Sequence, residues 1–268
     1  MCLIIFAWRV HPRYPLVVAA NRDEFFRRPT AAAKFWDDAP TVLAGKDIEA
    51  GGTWMGVTID GRFAALTNFR DPAQMQNDRP SRGKLVADFL TGTKSPADYL
   101  ASCAAYGRQC NGYNLLVGDG NSLWWSSNVN GESRELEPGI YGLSNHLLNS
   151  AWPKVGAGRT ALEIALTALP NDQKIFDLLV DVTVHADEAL PQTGISLEWE
   201  RLLSAAFIRM PSNAPIYGTR SSTALTVADD GLISYDEISW GTDASSARGP
   251  QMASRNRYCF KAKPRAVC

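Results

Sequence analysis

The hydrophobic pattern opens on Cys2, Leu3, Ile4, Ile5, Phe6, Ala7 and Trp8, an uninterrupted apolar run that predicts a short strand. His11, Pro12, Arg13, Tyr14 and Pro15 have turn composition, and Leu16, Val17, Val18, Ala19 and Ala20 predict a second strand. That strand ends on four polar residues, Asn21, Arg22, Asp23 and Glu24. In an antiparallel hairpin the end of the second strand lies beside the start of the first, so Arg22 and Asp23 return close to Cys2.

Further along, Phe25 to Pro29 reads as a loop and the segment up to Leu43 is weakly patterned. A glycine-rich approach, Gly51-Gly52-Thr53-Trp54-Met55-Gly56, leads to a strand through Ile59. Asp60-Gly61 then joins it to residues 62–68 as a hairpin, ending on Thr67 and Asn68. Residues 71–82 have loop composition and suit a flexible cover for a pocket. Helical spacing appears at Leu85, Val86, Phe89 and Leu90, and Ser95-Pro96-Ala97-Asp98 starts a second helix that runs to about Tyr106.

Strands follow at 113–117, 122–126 and 139–145, the last closing on Asn145. Helices are predicted at 158–169, 173–182 and 196–205, and strands at 217–228 and 232–240. Residues 241–268 read as loop apart from Tyr258-Cys259-Phe260. Hairpins dominate, and the helices fall in two runs between sheet segments. That excludes a parallel doubly wound fold and predicts an α+β protein, two mainly antiparallel sheets with helices on their outer faces.

One domain covering residues 1–268 is the default at this length. A formal net charge of -1 with no basic block argues against a nucleic-acid surface. No stretch approaches membrane-spanning length. Cys2, Cys103, Cys110, Cys259 and Cys268 are scattered and odd in number, which suits reduced thiols in a cytoplasmic protein.

The chemistry that this pattern offers centres on Cys2. Removal of Met1 would leave a thiol and an α-amine on one residue, and the amine can accept the thiol proton. Arg22 favours the thiolate, and Asp23 orients the ammonium form. Asn68 and Asn145, each ending a strand, can donate side-chain N–H groups to an oxyanion. The plainer alternative makes Cys2 a small residue at the start of a buried strand and the asparagines turn residues. His146 adjoins Asn145 and has two readings, a residue on the rim of the same cavity or an axial ligand for haem or a metal. Gly156-Ala157-Gly158-Arg159-Thr160-Ala161 matches G-x-G-x-x-A, but Trp152-Pro153-Lys154 precedes it where a buried strand belongs, so it reads as a loop-to-helix junction. Cys103 and Cys110 lack the partners of a zinc site, and no metal is expected.

Met1-Cys2 and Asn21-Arg22-Asp23-Glu24 resemble the opening of the NRDE family, also called the Transport and Golgi Organisation 2 family. The glycine-rich Gly51–Gly56 block, Leu66-Thr67-Asn68-Phe69-Arg70, Tyr141-Gly142-Leu143-Ser144-Asn145, Trp152-Pro153-Lys154 and Tyr217-Gly218-Thr219-Arg220 follow in the family's order. The resemblance implies an N-terminal-nucleophile hydrolase-like fold, a four-layer αββα sandwich. In cysteine hydrolases of that fold the site is a Cys, an Arg and an Asp from the first hairpin, completed by Asn side chains and a later Arg. Cys2, Arg22, Asp23, Asn68, Asn145 and Arg220 match these positions, while His146 stands where the family usually has a small residue.

The same resemblance implies haem handling, with haem as a ligand rather than a built-in cofactor. Trp54, Phe25, Phe26 and Phe69 suit a flat apolar molecule, His146 could reach its iron, and Arg27, Arg28, Arg70 or Arg220 could pair with its carboxylates. The alternatives are an amidohydrolase with Cys2 as nucleophile, and a binder of a lipid or acyl-CoA metabolite. In each case the expected partner is a small apolar or amphipathic molecule.

Overall fold

The apolar run after Met1 becomes β1 (Cys2–Trp8), buried along its whole length, because it lies in the middle of a sheet that is itself covered on both faces. The computed structural model describes residues 2–209, 217–241 and 251–263. The first sheet has the order β10 (Gly139–Leu143), β1, β2 (Leu16–Phe25), β11 (Tyr217–Val227), β12 (Leu232–Trp240) and β13 (Met252–Lys261). The second runs β3 (Thr30–Phe35), β4 (Val42–Asp47), β5 (Met55–Thr58), β6 (Phe63–Asn68), β7 (Tyr113–Gly118), β8 (Leu123–Ser127) and β9 (Ser133–Glu135). Every strand pairing among the described residues is antiparallel.

Period-2 alternation sorts each strand into two cores. Ile4, Phe6, Val18, Leu225 and Tyr235 of the first sheet meet Leu43, Val57, Phe63, Leu116 and Trp125 of the second. On the other face of the first sheet, Leu3, Ile5 and Val17 pack on Val155 and Leu162 of α3 (Pro153–Leu166) and Ile175 and Phe176 of α4 (Gln173–Leu179). Val42, Ala64 and Leu115 of the second sheet pack on α1 (Gly83–Thr91) and α2 (Pro96–Gly107) through Leu85, Phe89, Tyr99 and Leu100. Helix, sheet, sheet, helix: the architecture is the α+β four-layer αββα sandwich that the pattern and the resemblance imply. Each fully buried Leu, Ile or Phe contributes about 1.5–3 kcal/mol to it.

Four expectations are corrected. Residues 30–47 hold two strands, because alanine-rich β3 carries little hydrophobic signal and its pairing with β4 is irregular after Ala31. Helix α3 begins at Pro153, with Trp152 as its cap, so the G-x-G-x-x-A run lies inside a helix and cradles nothing. Helices α4 and α5 (Leu197–Leu202) are shorter than their apolar spacing suggests. The tail expected as loop contains β13, whose Arg255 and Arg257 both pair with buried Asp236 on the neighbouring strand. Cys268 lies outside the described residues. Among the described residues no helix is long and apolar enough to cross a membrane.

Candidate active site

The register of the first hairpin fixes who meets whom. Cys2 pairs directly with Arg22, and Leu3 with Asn21. Directly paired residues share a face, so Cys2 and Arg22 point toward the facing sheet while Asn21 and Asp23 point toward the helices. The three polar residues therefore separate into two layers. Asn21 is wholly buried; its Nδ2 donates to the carbonyls of Leu179 (2.7 Å) and Ala206 (2.8 Å), and its Oδ1 accepts from Ser222. It staples the helical layer to the sheet.

Across β2, the pairing with β11 slips between Thr219 and Ser221, so Arg220 is an extra residue in a β-bulge. Its Nη1 donates to the carbonyls of Phe25 (2.9 Å), Phe26 (3.3 Å) and Arg28 (3.2 Å), and its Nη2 to Thr30 Oγ1 (3.3 Å). Arg220 thus ties down the loop after β2 while lining the cleft described below.

Burial pushes the Cys2 thiol up from its ordinary value, and the Asp23 charge pushes the same way. Arg22 and a backbone hydrogen bond from Asp23 oppose them. The resting thiol is therefore protonated near neutral pH and needs a base before it can attack. Arg22 has only loose carboxylate neighbours, Asp47 at 3.8 Å and Glu24 at 3.9 Å.

Beneath Cys2, on the helix side, four buried charges are gathered. Asp23 Oδ1 accepts from Thr219 Oγ1 (2.7 Å), and burial raises its carboxyl above the usual range against the pull of Lys154 and Arg70. Lys154 donates to the Leu203 carbonyl (2.8 Å); burial pushes it down to about 8, with Asp23 the main opposing charge. Arg70 and Glu200 form an ion pair at 2.7 Å with both side chains buried. Arg70 is committed there, which removes it from the cations expected to meet a ligand carboxylate.

Two strand ends, Asn68 of β6 in the second sheet and Asn145 after β10 in the first, close the site. Asn145 Nδ2 donates to the Asn68 carbonyl (2.8 Å), and Arg70 N–H donates to the Asn145 carbonyl (2.8 Å). The Asn68 side-chain amide makes no hydrogen bond among the described residues and is uncommitted. His146 packs between the rings of Phe69 (5.0 Å) and Trp152 (5.8 Å), and burial lowers its pKa. It is absent from the lining of both cavities, so it faces neither.

The larger cavity, about 740 Å³, lies at the strand ends between the sheets; Cys2, Arg22, Trp54, Asn68, Arg220 and Glu237 are among its lining residues. Of the expected cover, residues 71–82, Met75 to Asn77 and Arg79 to Arg82 form part of its wall. A smaller pocket of about 190 Å³ adjoins it, sharing Asn68, Met75, Arg82 and Asn111 and adding Phe69, Pro72 and Asn145. Cys2, Arg22, Asp23, Asn68 and Arg220 all border the large cleft, with Asn145 next door. The ligand-binding set is split, with Trp54 in the cleft and Phe69 and Arg70 in the side pocket. The cleft wall is mainly charged and polar, not the apolar surface a flat macrocycle needs.

Sequence reasoning missed Lys154, Arg82 and Glu237. Lys154 stands in the quoted Trp152-Pro153-Lys154 block, but only the fold puts it under Asp23. Glu237 is an inward position of β12, two residues from buried Tyr235, where alternation calls for an apolar side chain. It accepts from the Ala33 N–H (2.7 Å), and burial raises its pKa. Arg82 precedes α1 and carries no signal of its own. Among the described residues no cluster of three or more His, Cys, Asp or Glu is poised to hold a metal ion.

A helix-covered pair of antiparallel sheets, with a cysteine opening its central hairpin beside a polar cleft, defines the class as an αββα sandwich of N-terminal-nucleophile hydrolase-like architecture. The family model for Transport and Golgi organisation 2 matches residues 1–241, and the chain belongs to that family. It is 38% identical over 259 residues to the Transport and Golgi organization protein 2 homolog of Bos taurus, covering 89% of this chain and 93% of that protein. The Homo sapiens homolog is 36% identical, with the same coverage. Among solved structures, the N-acylethanolamine-hydrolyzing acid amidase ortholog of Caenorhabditis elegans aligns with a TM-score of 0.45 at 11% identity, over 84% of this chain and 92% of that one.

Proposed function

We propose that this protein is an amidohydrolase in which Cys2 is the nucleophile and the substrate a small molecule with polar or charged groups. The observation that carries this reading is the buried Cys2–Arg22 pair on the wall of the cleft, with the uncommitted Asn68 amide bordering the same space. With Met1 removed, the Cys2 α-amine takes the thiol proton and Sγ attacks the amide carbon. The carbonyl π electrons move to oxygen, where Asn68 Nδ2 donates. Collapse of that intermediate breaks the C–N bond, and the leaving amine takes the proton from the α-ammonium. Water, deprotonated by the same amine, then hydrolyses the thioester and frees the thiol.

The test is intact mass spectrometry of protein purified from its own host, then mixed with an activated acyl ester. Loss of Met1, and a thioester adduct that maps to Cys2 and vanishes in Cys2→Ala, are the expected results. A retained Met1, or no adduct on Cys2, overturns the reading.

Haem handling, which the family resemblance implies, is the second reading. What favours it is the size of the cleft, about 740 Å³, with guanidinium groups of Arg22, Arg28 and Arg220 on its wall. Its test is haem titration: a Soret shift at micromolar protein supports it, and no shift removes it.

A further inference from the structure

Arg82 stands where the two cavities meet and lines both. Among the other cations of the cleft, Arg79 bonds Gln76 Oε1 (2.7 Å) and the Gln109 carbonyl (3.2 Å), Arg220 holds the loop after β2, Arg22 has loose carboxylate neighbours, and two are closely paired. Arg28 pairs with Asp47 (2.8 Å) and Glu49 (2.9 Å), and Lys46 with Asp38 (2.8 Å). Arg70, the other cation on the side pocket, is neutralised by Glu200. Arg82 makes one hydrogen bond, from Nη1 to the Gly112 carbonyl at 3.3 Å, and no carboxylate lies within ion-pair distance of it among the described residues. Burial lowers its pKa, with Cys110, Cys2 and Glu24 within Coulombic reach on the other side of the balance. A largely enclosed guanidinium with donors to spare and no counter-ion is costly unless a ligand supplies the anion.

Beside that cation the side pocket offers an apolar wall of Phe69, Pro72 and Met75. Of its other polar members, Asn111 exchanges two hydrogen bonds with the Gln76 backbone (3.0 and 2.7 Å) and Asn145 holds the Asn68 carbonyl, whereas the Asn68 amide is open and Asp71 and Gln74 also line the pocket. The pocket's volume of about 190 Å³ is on the order of six water volumes, room for a short chain and not a long one. We infer that the ligand of this site is a carboxylate bearing a short apolar group, its carboxylate on Arg82 and its apolar group against Phe69, Pro72 and Met75. A single planar guanidinium matches a carboxylate in a bidentate pair, whereas a dianionic phosphate calls for a second free cation that the side pocket does not present. The inference rests on the same cleft as the amidohydrolase reading, but it needs no turnover.

The experiment is isothermal titration of the full-length wild type with hexanoate, acetate, hexanamide and hexyl phosphate. A charge-assisted pair predicts hexanoate binding at least about tenfold tighter than hexanamide, with hexyl phosphate no tighter than hexanoate. Arg82→Gln should erase the preference for the acid over the amide, and Arg82→Lys should keep part of it. Met75 is exposed, so Met75→Trp folds; by filling the side pocket it should abolish the advantage of hexanoate over acetate while leaving the preference for acid over amide. Equal binding of acid and amide, an unchanged preference in Arg82→Gln, or tightest binding by hexyl phosphate overturns the inference. Carboxylate binding without any acyl-enzyme would leave it standing and remove the hydrolase reading, and amide turnover indifferent to a carboxylate would do the reverse.

Discussion

Lys154 gives the sharpest quantitative expectation. Its amine is fully enclosed under Cys2, faced by Asp23 from β2, Arg70 from the segment after β6 and Glu200 from α5, and burial pushes its pKa from 10.5 down to about 8. The interval from 10.5 to about 8, at about 1.4 kcal/mol per pKa unit, corresponds to about 3 kcal/mol. Within that window an unfolded chain holds a proton on this amine that the folded chain has released, so stability rises with pH. Below about pH 8 the cost of burying the ammonium is present in full; above about pH 10.5 it is gone. In Lys154→Met the residue no longer titrates. The unfolding free energy of the parent minus that of the variant should therefore grow by about 3 kcal/mol across this window, whatever its value at neutral pH. Urea unfolding followed by tryptophan fluorescence at a series of pH values measures it, with both proteins in a Cys2→Ala background so that the neighbouring thiol does not contribute. Stability curves that stay parallel, within about 0.5 kcal/mol, would refute the placement of a charged lysine in this layer.

Replacing Asn21 by leucine keeps the branched shape but leaves the Leu179 and Ala206 carbonyls without their donor and the Ser222 O–H without its acceptor, Ser222 Oγ keeping only the Trp240 indole N–H. At about 1–3 kcal/mol for each such group, urea denaturation should show a loss of about 3–5 kcal/mol, and a loss below about 1 kcal/mol would mean that the staple does not bear on the fold. Gly52 has φ +79°, and a Cβ there would sit 2.5 Å from the Gly83 backbone at the start of α1. Gly52→Ala should cost about 2–4 kcal/mol in thermal or urea unfolding, whereas Gly51→Ala, with φ +69° but open space around it, should cost only about 1 kcal/mol; equal losses would contradict the close approach.

Much of the sandwich was legible because its central strands are uninterrupted apolar runs bounded by turn chemistry. The strand ends were legible for the opposite reason: Asn21 to Glu24, Asn68 and Asn145 are polar where an apolar run stops, and antiparallel pairing returns such ends to one another. What stayed hidden is three-dimensional. No spacing rule reports a bulge, so Arg220 could be placed beside the site but not seen to hold the carbonyls of the preceding loop. Strand β13 puts only Tyr258 and Phe260 against the core while its arginines answer Asp236, so its alternation is diluted by charge. Lys154 follows a proline at a helix start, a position that reads as solvent-exposed until α3 is laid across Asp23. His146 shows the reverse error, since adjacency to Asn145 along the chain did not put it on the same cavity.

Each sheet carries half of the candidate site, Cys2 and Arg22 on one and Asn68 on the other, and the junction between them is a reciprocal one. Asn145 gives a side-chain N–H to the Asn68 carbonyl and takes the Arg70 N–H on its own carbonyl, while the neighbouring Ser144 hydroxyl donates to the Cys2 carbonyl (3.1 Å). The distance across the cleft is thereby set by bonds at the ends of three strands, each accepted by a main-chain carbonyl and two of them donated by buried side chains. Such a jaw has a fixed gauge. A ligand that fits it meets a surface that loses little freedom on binding, and the bonds that hold the gauge open only when the sandwich itself comes apart.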